Sequence, residues 1–364
     1  MLLDLWEPLV GRQQPEVPVL TSVEVTVTGL CNLRCVHCAV GEQLVTREPE
    51  RIPPEEIIRA LDRVPTLTTL SLTGGEPSIR RDLIEGWAVP ILRYAKDRGL
   101  QTQFNTNLTF ELERYLPLEG LVDVLHITWN YRDPGDFARI ARVPMAAAER
   151  YYHRILRNAE TLAARGWFVS AESMMTHETL PALGQFNRLL AAVGCRRHEI
   201  HPRYQADWGA SLPVLDLETM AEGIERFLEE RDPNLWVLFG TFPFFPCSPD
   251  PRHRALWRRV REAPGVTIRN DPDGRNRLNI DGITGAVRVA DFADLPPLGN
   301  IREGADLVAC FAAWQEHPAY RPLKCCCPEA ACLGPNLLVA QMYYPGVDFT
   351  TRRAILDDPA PAQR

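Results

Sequence analysis

The 364-residue chain has no run of about 18 apolar residues, so no segment reads as a membrane span. Its first residues, Met1-Leu2-Leu3-Asp4-Leu5-Trp6-Glu7, lack a basic stretch followed by a long apolar one and do not read as a secretory signal. A cytoplasmic location is therefore expected. Basic charge is not in surplus: 40 Lys and Arg stand against 47 Asp and Glu, a formal net charge of -7. That speaks against a dedicated nucleic-acid binder, which would carry a basic face. No Gly-Ser linker, low-complexity tract or internal repeat divides the chain. With 45% apolar and 24% charged residues the composition is globular, and such a length can bury a large core without disulfide staples.

Cysteine, in contrast, is plentiful, with ten residues. In a reducing compartment, clustered cysteines point to metal ligation or catalysis more than to disulfides. Cys31, Cys35 and Cys38 form one cluster, and Cys325, Cys326, Cys327 and Cys332 a second. Cys195, Cys247 and Cys310 stand alone and are expected to be small buried hydrophobes.

Patterning places strands at 23–28, 68–73, 101–105, 122–128, 167–172 and 199–201. Between them, helices are expected at 53–61, 82–97, 145–165 and 180–193. Strands alternating with helices at this spacing imply βα units around a parallel sheet. About six such units precede residue 210, fewer than the eight of a closed barrel. The expectation is an α/β fold, a partial (β/α)6 barrel. Residues 1–20 are a lead-in, 21–210 the barrel and 211–364 a C-terminal extension. Within the extension, a helix is expected at 217–231, a strand at 235–240, and a hairpin at 277–280 and 286–289 around Asp281-Gly282-Ile283-Thr284-Gly285. The basic stretch Arg252 to Arg261 reads as a solvated helix face.

For the spacing C-x3-C-x2-C of Cys31, Cys35 and Cys38, directly after a strand, a given cysteine would find both partners by accident at a rate of roughly one in a thousand. Three thiolates on one loop can hold three irons of a [4Fe–4S] cluster and leave the fourth open. An open coordination position marks a reactive centre. A zinc knuckle or an electron-transfer cluster is the alternative. Zinc needs a fourth ligand, and His37 sits awkwardly inside the same tight loop.

The segment Cys31-Asn32-Leu33-Arg34-Cys35-Val36-His37-Cys38 resembles the radical S-adenosylmethionine (SAM) superfamily. That resemblance implies that the three cysteines hold the cluster and that SAM chelates the fourth iron. His37, before the third cysteine, is implied to pack near the adenine. Gly74-Gly75-Glu76-Pro77, one βα unit later, resembles the superfamily's SAM-amino turn, with Glu76 as acceptor for the ammonium. Looser matches are Asn105-Thr106-Asn107 after the third strand, Thr128 and Asn130 after the fourth, Glu172 and Ser173 after the fifth. Arg203, after the sixth, is a candidate partner for the SAM carboxylate.

The second cluster, taken as C-x-C-x4-C, uses Cys325, Cys327 and Cys332. An auxiliary Fe–S cluster is expected there, with zinc as the lesser alternative. Cys310, Cys247 or Cys326 are candidate fourth ligands. The hairpin, Leu298 to Gly304, the Trp-bearing segment Phe311 to Trp314 and this cluster look like a SPASM/twitch-like extension. The spacing of Cys325, Cys327 and Cys332 is similar to the radical SAM/CxCxxxxC-motif (YfkAB-type) family. The resemblance implies an enzyme that reductively cleaves SAM to a 5′-deoxyadenosyl radical, fed by a donor such as flavodoxin or ferredoxin. The substrate is unspecified, a small molecule or a peptide. Two other readings are 3-amino-3-carboxypropyl transfer to a soft acceptor held by the C-terminal thiols, and a non-catalytic metal-binding or redox-sensing protein.

Overall fold

The computed structural model describes residues 19–269, 272–291, 295–325, 332 and 334–350. Its strands are β1 (Ser22–Thr28), β2 (Thr69–Gly74), β3 (Gln101–Thr106), β4 (Val124–Thr128), β5 (Val169–Met175), β6 (Arg197–Pro202), β7 (Trp236–Gly240), β8 (Val266–Arg269), β9 (Arg277–Asp281), β10 (Ala286–Arg288) and β11 (Gly299–Asn300). They form one open sheet in the order β11-β10-β9-β1-β2-β3-β4-β5-β6-β7-β8. From β9 to β8 every neighbouring pair is parallel. The β9-β10-β11 end is antiparallel.

Helices fill the crossovers: α1 (Pro54–Asp62), α2 (Arg81–Leu83), α3 (Val89–Asp97), α4 (Pro134–Ala141), α5 (Met145–Ala164), α6 (Leu183–Ala192), α7 (Leu217–Glu230), α8 (Pro251–Glu262), α9 (Leu307–Glu316) and α10 (Leu337–Tyr343). The repeating strand–helix order dictates a parallel sheet with helices outside. Helix α1 shows how. Pro54 and two acidic residues open it, and Ile57 and Leu61 lie on its inner side, fully buried. Each such residue contributes about 1.5–3 kcal/mol on burial.

Sequence and structure part at four places. The helix expected over 82–97 is broken by a π turn, Ile84–Ala88. Pro90 is the reason: it has no N–H to give to the carbonyl four residues back, so a regular α turn cannot run through it. Helix α4 was not expected, although Asp133 caps it by accepting Asp136 N–H and Pro134 opens it. The strand at 199–201 is not the last of the parallel set, because β7 and β8 continue the sheet beyond it. The sheet thus runs unbroken across residue 210, and β9 returns to pair with β1 in register, Glu24 opposite Asn279 and Thr26 opposite Asp281.

The basic stretch does form a helix, α8, and part of its charge is answered within the chain. Arg252 pairs with Glu218 and with Glu225 at 3.1 Å, and Arg259 with Glu229 at 3.0 Å, all carboxylates of α7. Cys195, Cys247 and Cys310 are buried.

Candidate active site

The first cysteine loop leaves β1 and is pinned from several sides. Arg34 and Val36 N–H donate to the carbonyls of Ala141 and Ile140 at 3.1 and 2.9 Å. These belong to the open C-terminal turn of α4, where carbonyls have no helical partner. Asn32 donates to Thr109 at 2.8 Å and accepts from Asn107 at 2.9 Å, both beyond β3. Arg34 folds back on the carbonyls of Cys31 and Leu33 at 2.6 and 2.8 Å. Glu48 closes the root by accepting Thr28 Oγ1–H and Gly29 N–H, both at 2.6 Å.

Gly74 and Gly75 make the second contact with this loop. Gly75 N–H donates to Thr28 O at 2.6 Å, and Glu76 N–H to Leu30 O at 2.7 Å. A Cβ on Gly74 would meet Thr28 O at 2.5 Å, and one on Gly75 would overlap Leu30 O. Gly74 also has φ +129°, which side chains rarely adopt. The paired glycines let the turn press on the backbone of the cysteine loop while their other side faces a cavity.

That cavity, about 220 Å3, is lined by Cys31, Cys35, His37 and Cys38, by Gly74, Gly75 and Pro77, and by Asn105, His126, Thr128, Tyr131, Glu172 and Met174. It lies at the C-terminal ends of β2 to β5, where βα barrels build their sites. Cys31, Cys35 and Cys38 thus meet His37, the two glycines, Asn105 and Thr128 in one space.

Two of the residues expected at the ligand do not line this cavity. Glu76 is 1% exposed and is not among the cavity-lining residues. Its Oε1 accepts from Ser78 N–H at 2.9 Å and Thr106 Oγ1–H at 2.7 Å, and Oε2 from Asn107 N–H at 2.6 Å. Its carboxylate ties β2 to the end of β3. Arg203 is buried as well, and its guanidinium donates to the carbonyls of Gly209, Tyr204, Leu212 and Pro213, the last three at 3.2, 2.9 and 3.2 Å. It holds the 204–213 loop and does not line the cavity. Asn130 accepts Met174 N–H at 2.8 Å, and Ser173 donates to Trp129 O, so both serve the strand ends.

The sequence reading passed over Tyr131, whose hydroxyl hydrogen-bonds Cys35. It also passed over His126, whose Nε2 lies 2.8 Å from Glu172. The signal for His126 was a lone imidazole at an inward position of an otherwise apolar strand, sharing a face with Thr128.

Electrostatics fit a cationic cluster. Burial, then Glu76, pushes the Cys31 thiol up to about 12, and burial with the neighbouring thiols raises Cys35 further. Burial raises Cys38 too. Raised thiol pKa values mean that a positive charge beside them would be needed to hold all three as thiolates at pH 7. Burial holds His37 down to about 4, so its imidazole is neutral at pH 7. Burial would raise Glu172, but His201 and His126 outweigh it and keep the carboxylate charged.

In the second cluster, Cys325 is half-buried and Cys332 buried. Cys326 and Cys327 lie outside the described residues. Among the described residues no helix is long and apolar enough to cross a membrane.

Comparison with known proteins agrees with this geometry. The radical SAM superfamily pattern matches residues 25–186, and the YfkB-like domain matches residues 203–354. The chain is 42% identical over 358 residues to the YfkA protein of Bacillus subtilis, covering 96% of each. It is 26% identical over 152 residues to the mitochondrial GTP 3′,8-cyclase of Arabidopsis thaliana, covering 40% of this chain and 36% of that protein. The fold is that of SuiB from Streptococcus suis, solved bound to S-adenosylmethionine, with a TM-score of 0.59 at 14% identity over 88% of this chain and 72% of that one. An α/β barrel edge carrying a cysteine loop, continuous with a YfkB-like half and shared nearly end to end with YfkA, places the chain in the radical SAM superfamily as an enzyme of the YfkAB type.

Proposed function

We propose that Cys31, Cys35 and Cys38 hold three irons of a [4Fe–4S] cluster and that SAM occupies the remaining iron within the cavity they share with Gly74 and Gly75. When bound, the cluster supplies the single electron that splits the SAM sulfonium into methionine and a 5′-deoxyadenosyl radical. The observation that carries the reading is the convergence of the three thiols with the Gly74-Gly75 turn and the ends of β3 to β5 on one cavity of about 220 Å3.

The chain's own residues orient and shield. Glu76 fixes the β2 turn against β3. His37, neutral and 7% exposed, offers a flat face to an aromatic base. Asn105 and Thr128 offer polar edges to ribose or carboxylate groups. Tyr131 donates to the Cys35 sulfur, which tempers charge on that ligand. Cys325, Cys327 and Cys332 are proposed to hold an auxiliary Fe–S cluster, on the strength of their spacing. A flavodoxin- or ferredoxin-type donor would supply the electron.

The test is anaerobic reconstitution, reduction with dithionite, and chromatography of the products of SAM. 5′-Deoxyadenosine is expected from the wild type and none from Cys35→Ala. Methylthioadenosine in its place would assign 3-amino-3-carboxypropyl transfer. A fully loaded protein that leaves SAM intact would refute the cleavage reading.

A further inference from the structure

The three cysteine sulfurs do not take their hydrogen bonds from the same kind of donor. Leu33 N–H donates to Cys31 Sγ at 3.4 Å, and Val40 N–H donates to the Cys38 sulfur. Both donors are main-chain groups two residues on, which almost any sequence of the loop would supply. Cys35 is served by a side chain from another element, the Tyr131 hydroxyl between β4 and α4. The same β4–α4 unit holds Cys35 from behind. Its two neighbours, Arg34 and Val36, donate their N–H groups to the last carbonyls of α4, those of Ala141 and Ile140. The middle cysteine is thus fixed to one βα unit at its backbone and at its sulfur.

Tyr131 is 1% exposed and lines the cavity together with Cys35. Its ring stands edge-on to Trp129 with centroids 5.7 Å apart, and its centroid is 4.4 Å from that of Phe137. A phenylalanine would fill those contacts equally well, so packing alone does not call for the hydroxyl. A buried phenol needs a hydrogen-bond partner, and among the described residues the Cys35 sulfur fills that role. A protonated thiol is a weak acceptor and a thiolate a strong one, so the bond is strongest once Cys35 is a metal ligand. The other two sulfurs have charged neighbours: Glu76 and Arg34 stand beside Cys31, and Asp207 and Arg34 beside Cys38. The two carboxylates oppose the entry of an electron, and Tyr131 is a neutral donor that favours it.

We propose that Tyr131 sets the redox potential of the cluster site: its hydroxyl, by donating to the Cys35 sulfur, stabilises the state that has gained one electron. It is a tuning residue that acts through a ligand. The inference rests on the reading of Cys31, Cys35 and Cys38 as cluster ligands, and it names what regulates that site. Hydrogen bonds to ligand sulfurs are among the levers on such potentials, because they draw off the charge that reduction adds. One electron enters from the low-potential donor, and no bond is made or broken.

The experiment is a redox titration of the anaerobically reconstituted full chain without SAM, followed by electron paramagnetic resonance. The signal to follow is the one that Cys35→Ala lacks. In Tyr131→Phe the equilibrium constant for reduction should fall about threefold or more, a midpoint lowered by about 30 mV at about 59 mV per tenfold for one electron. 3-Fluorotyrosine at position 131, a stronger donor, should raise the midpoint. Tyr152→Phe is the control. The Tyr152 hydroxyl donates to Arg132 O at 3.0 Å and its ring lies 5.1 Å from Trp129, so this change removes a hydroxyl from the same aromatic group without touching sulfur. Its midpoint should equal that of the wild type. An unchanged midpoint in iron-loaded Tyr131→Phe, or an equal fall in Tyr152→Phe, overturns the proposal. If Tyr131→Phe takes up no iron, the fluorotyrosine arm decides, and a midpoint that does not rise overturns it. Those results leave the SAM-cleavage assay to stand or fall separately. A wild type that binds no iron would refute the cluster reading itself, and this inference with it.

Discussion

The Glu76 carboxylate accepts the Asn107 backbone N–H at 2.6 Å, and this bond clamps the end of β2 to the end of β3 beside the cysteine loop. The same carboxylate takes Ser78 and Thr106. Glu76→Gln puts an amide N–H2 against one of these donors. It should lower stability by about 2–4 kcal/mol, the range for breaking a buried network. Thermal unfolding of the apo protein measures it. An unchanged melting temperature together with lost SAM affinity would instead mean that the carboxylate works on the ligand.

Gly75→Ala forces a Cβ into Leu30 O at the root of the cysteine loop. A loss of about 2 kcal/mol or more is expected, with iron incorporation falling in step. Gly86→Ala is the control. A Cβ there meets nothing within 4 Å, so the change should be neutral or stabilising by up to about 1 kcal/mol. Iron per chain and the melting midpoint of both variants decide the matter.

Asp291 makes stability depend on pH in a predictable sense. Its pKa is raised from 3.8 to about 6, so the folded protein binds that proton more tightly than the unfolded chain. The stabilisation from the buried neutral acid is complete below pH 3.8 and is lost as pH rises through about 6. Asp291→Asn should therefore stabilise the protein by about 1–3 kcal/mol at pH 8 and by nothing below pH 4. Melting curves of variant and wild type at both pH values provide the check.

Replacing Cys325, Cys327 and Cys332 together by Ala should halve the iron of anaerobically reconstituted protein, from about eight to about four per chain, if each site holds four irons. Zinc lost in place of iron would assign a zinc site. Metal unchanged by the triple substitution would remove the auxiliary centre.

Much of this was legible because it is local. The C-x3-C-x2-C loop, the Gly74-Gly75 turn and the alternation of strands with helices are each written in consecutive residues. What escaped was set by distant partners. Glu76 looked like a ligand residue because the turn that carries it is near the cavity. Only the tertiary arrangement shows that its carboxylate accepts from Thr106 and Asn107 at the end of β3. The carbonyl partners of Arg203 likewise lie in a loop that has no pattern of its own. The role of α4 was invisible for a different reason. Asp133-Pro134 announces a helix, but not that its last carbonyls will hold Arg34 and Val36. β9 reads as half of a hairpin, and nothing in its residues says that its other edge will be taken by β1.

That last pairing decides what can be cut. A fragment stopped at residue 210 would leave β1 without β9 on one flank and β6 without β7 on the other. Both bare flanks would offer rows of unmet N–H and C=O groups, templates for self-association. One of them is the strand from which the cysteine loop springs. The two sequence families that meet in this chain are therefore halves of one hydrogen-bonded object. Expressed alone, the N-terminal half is expected to self-associate through those flanks.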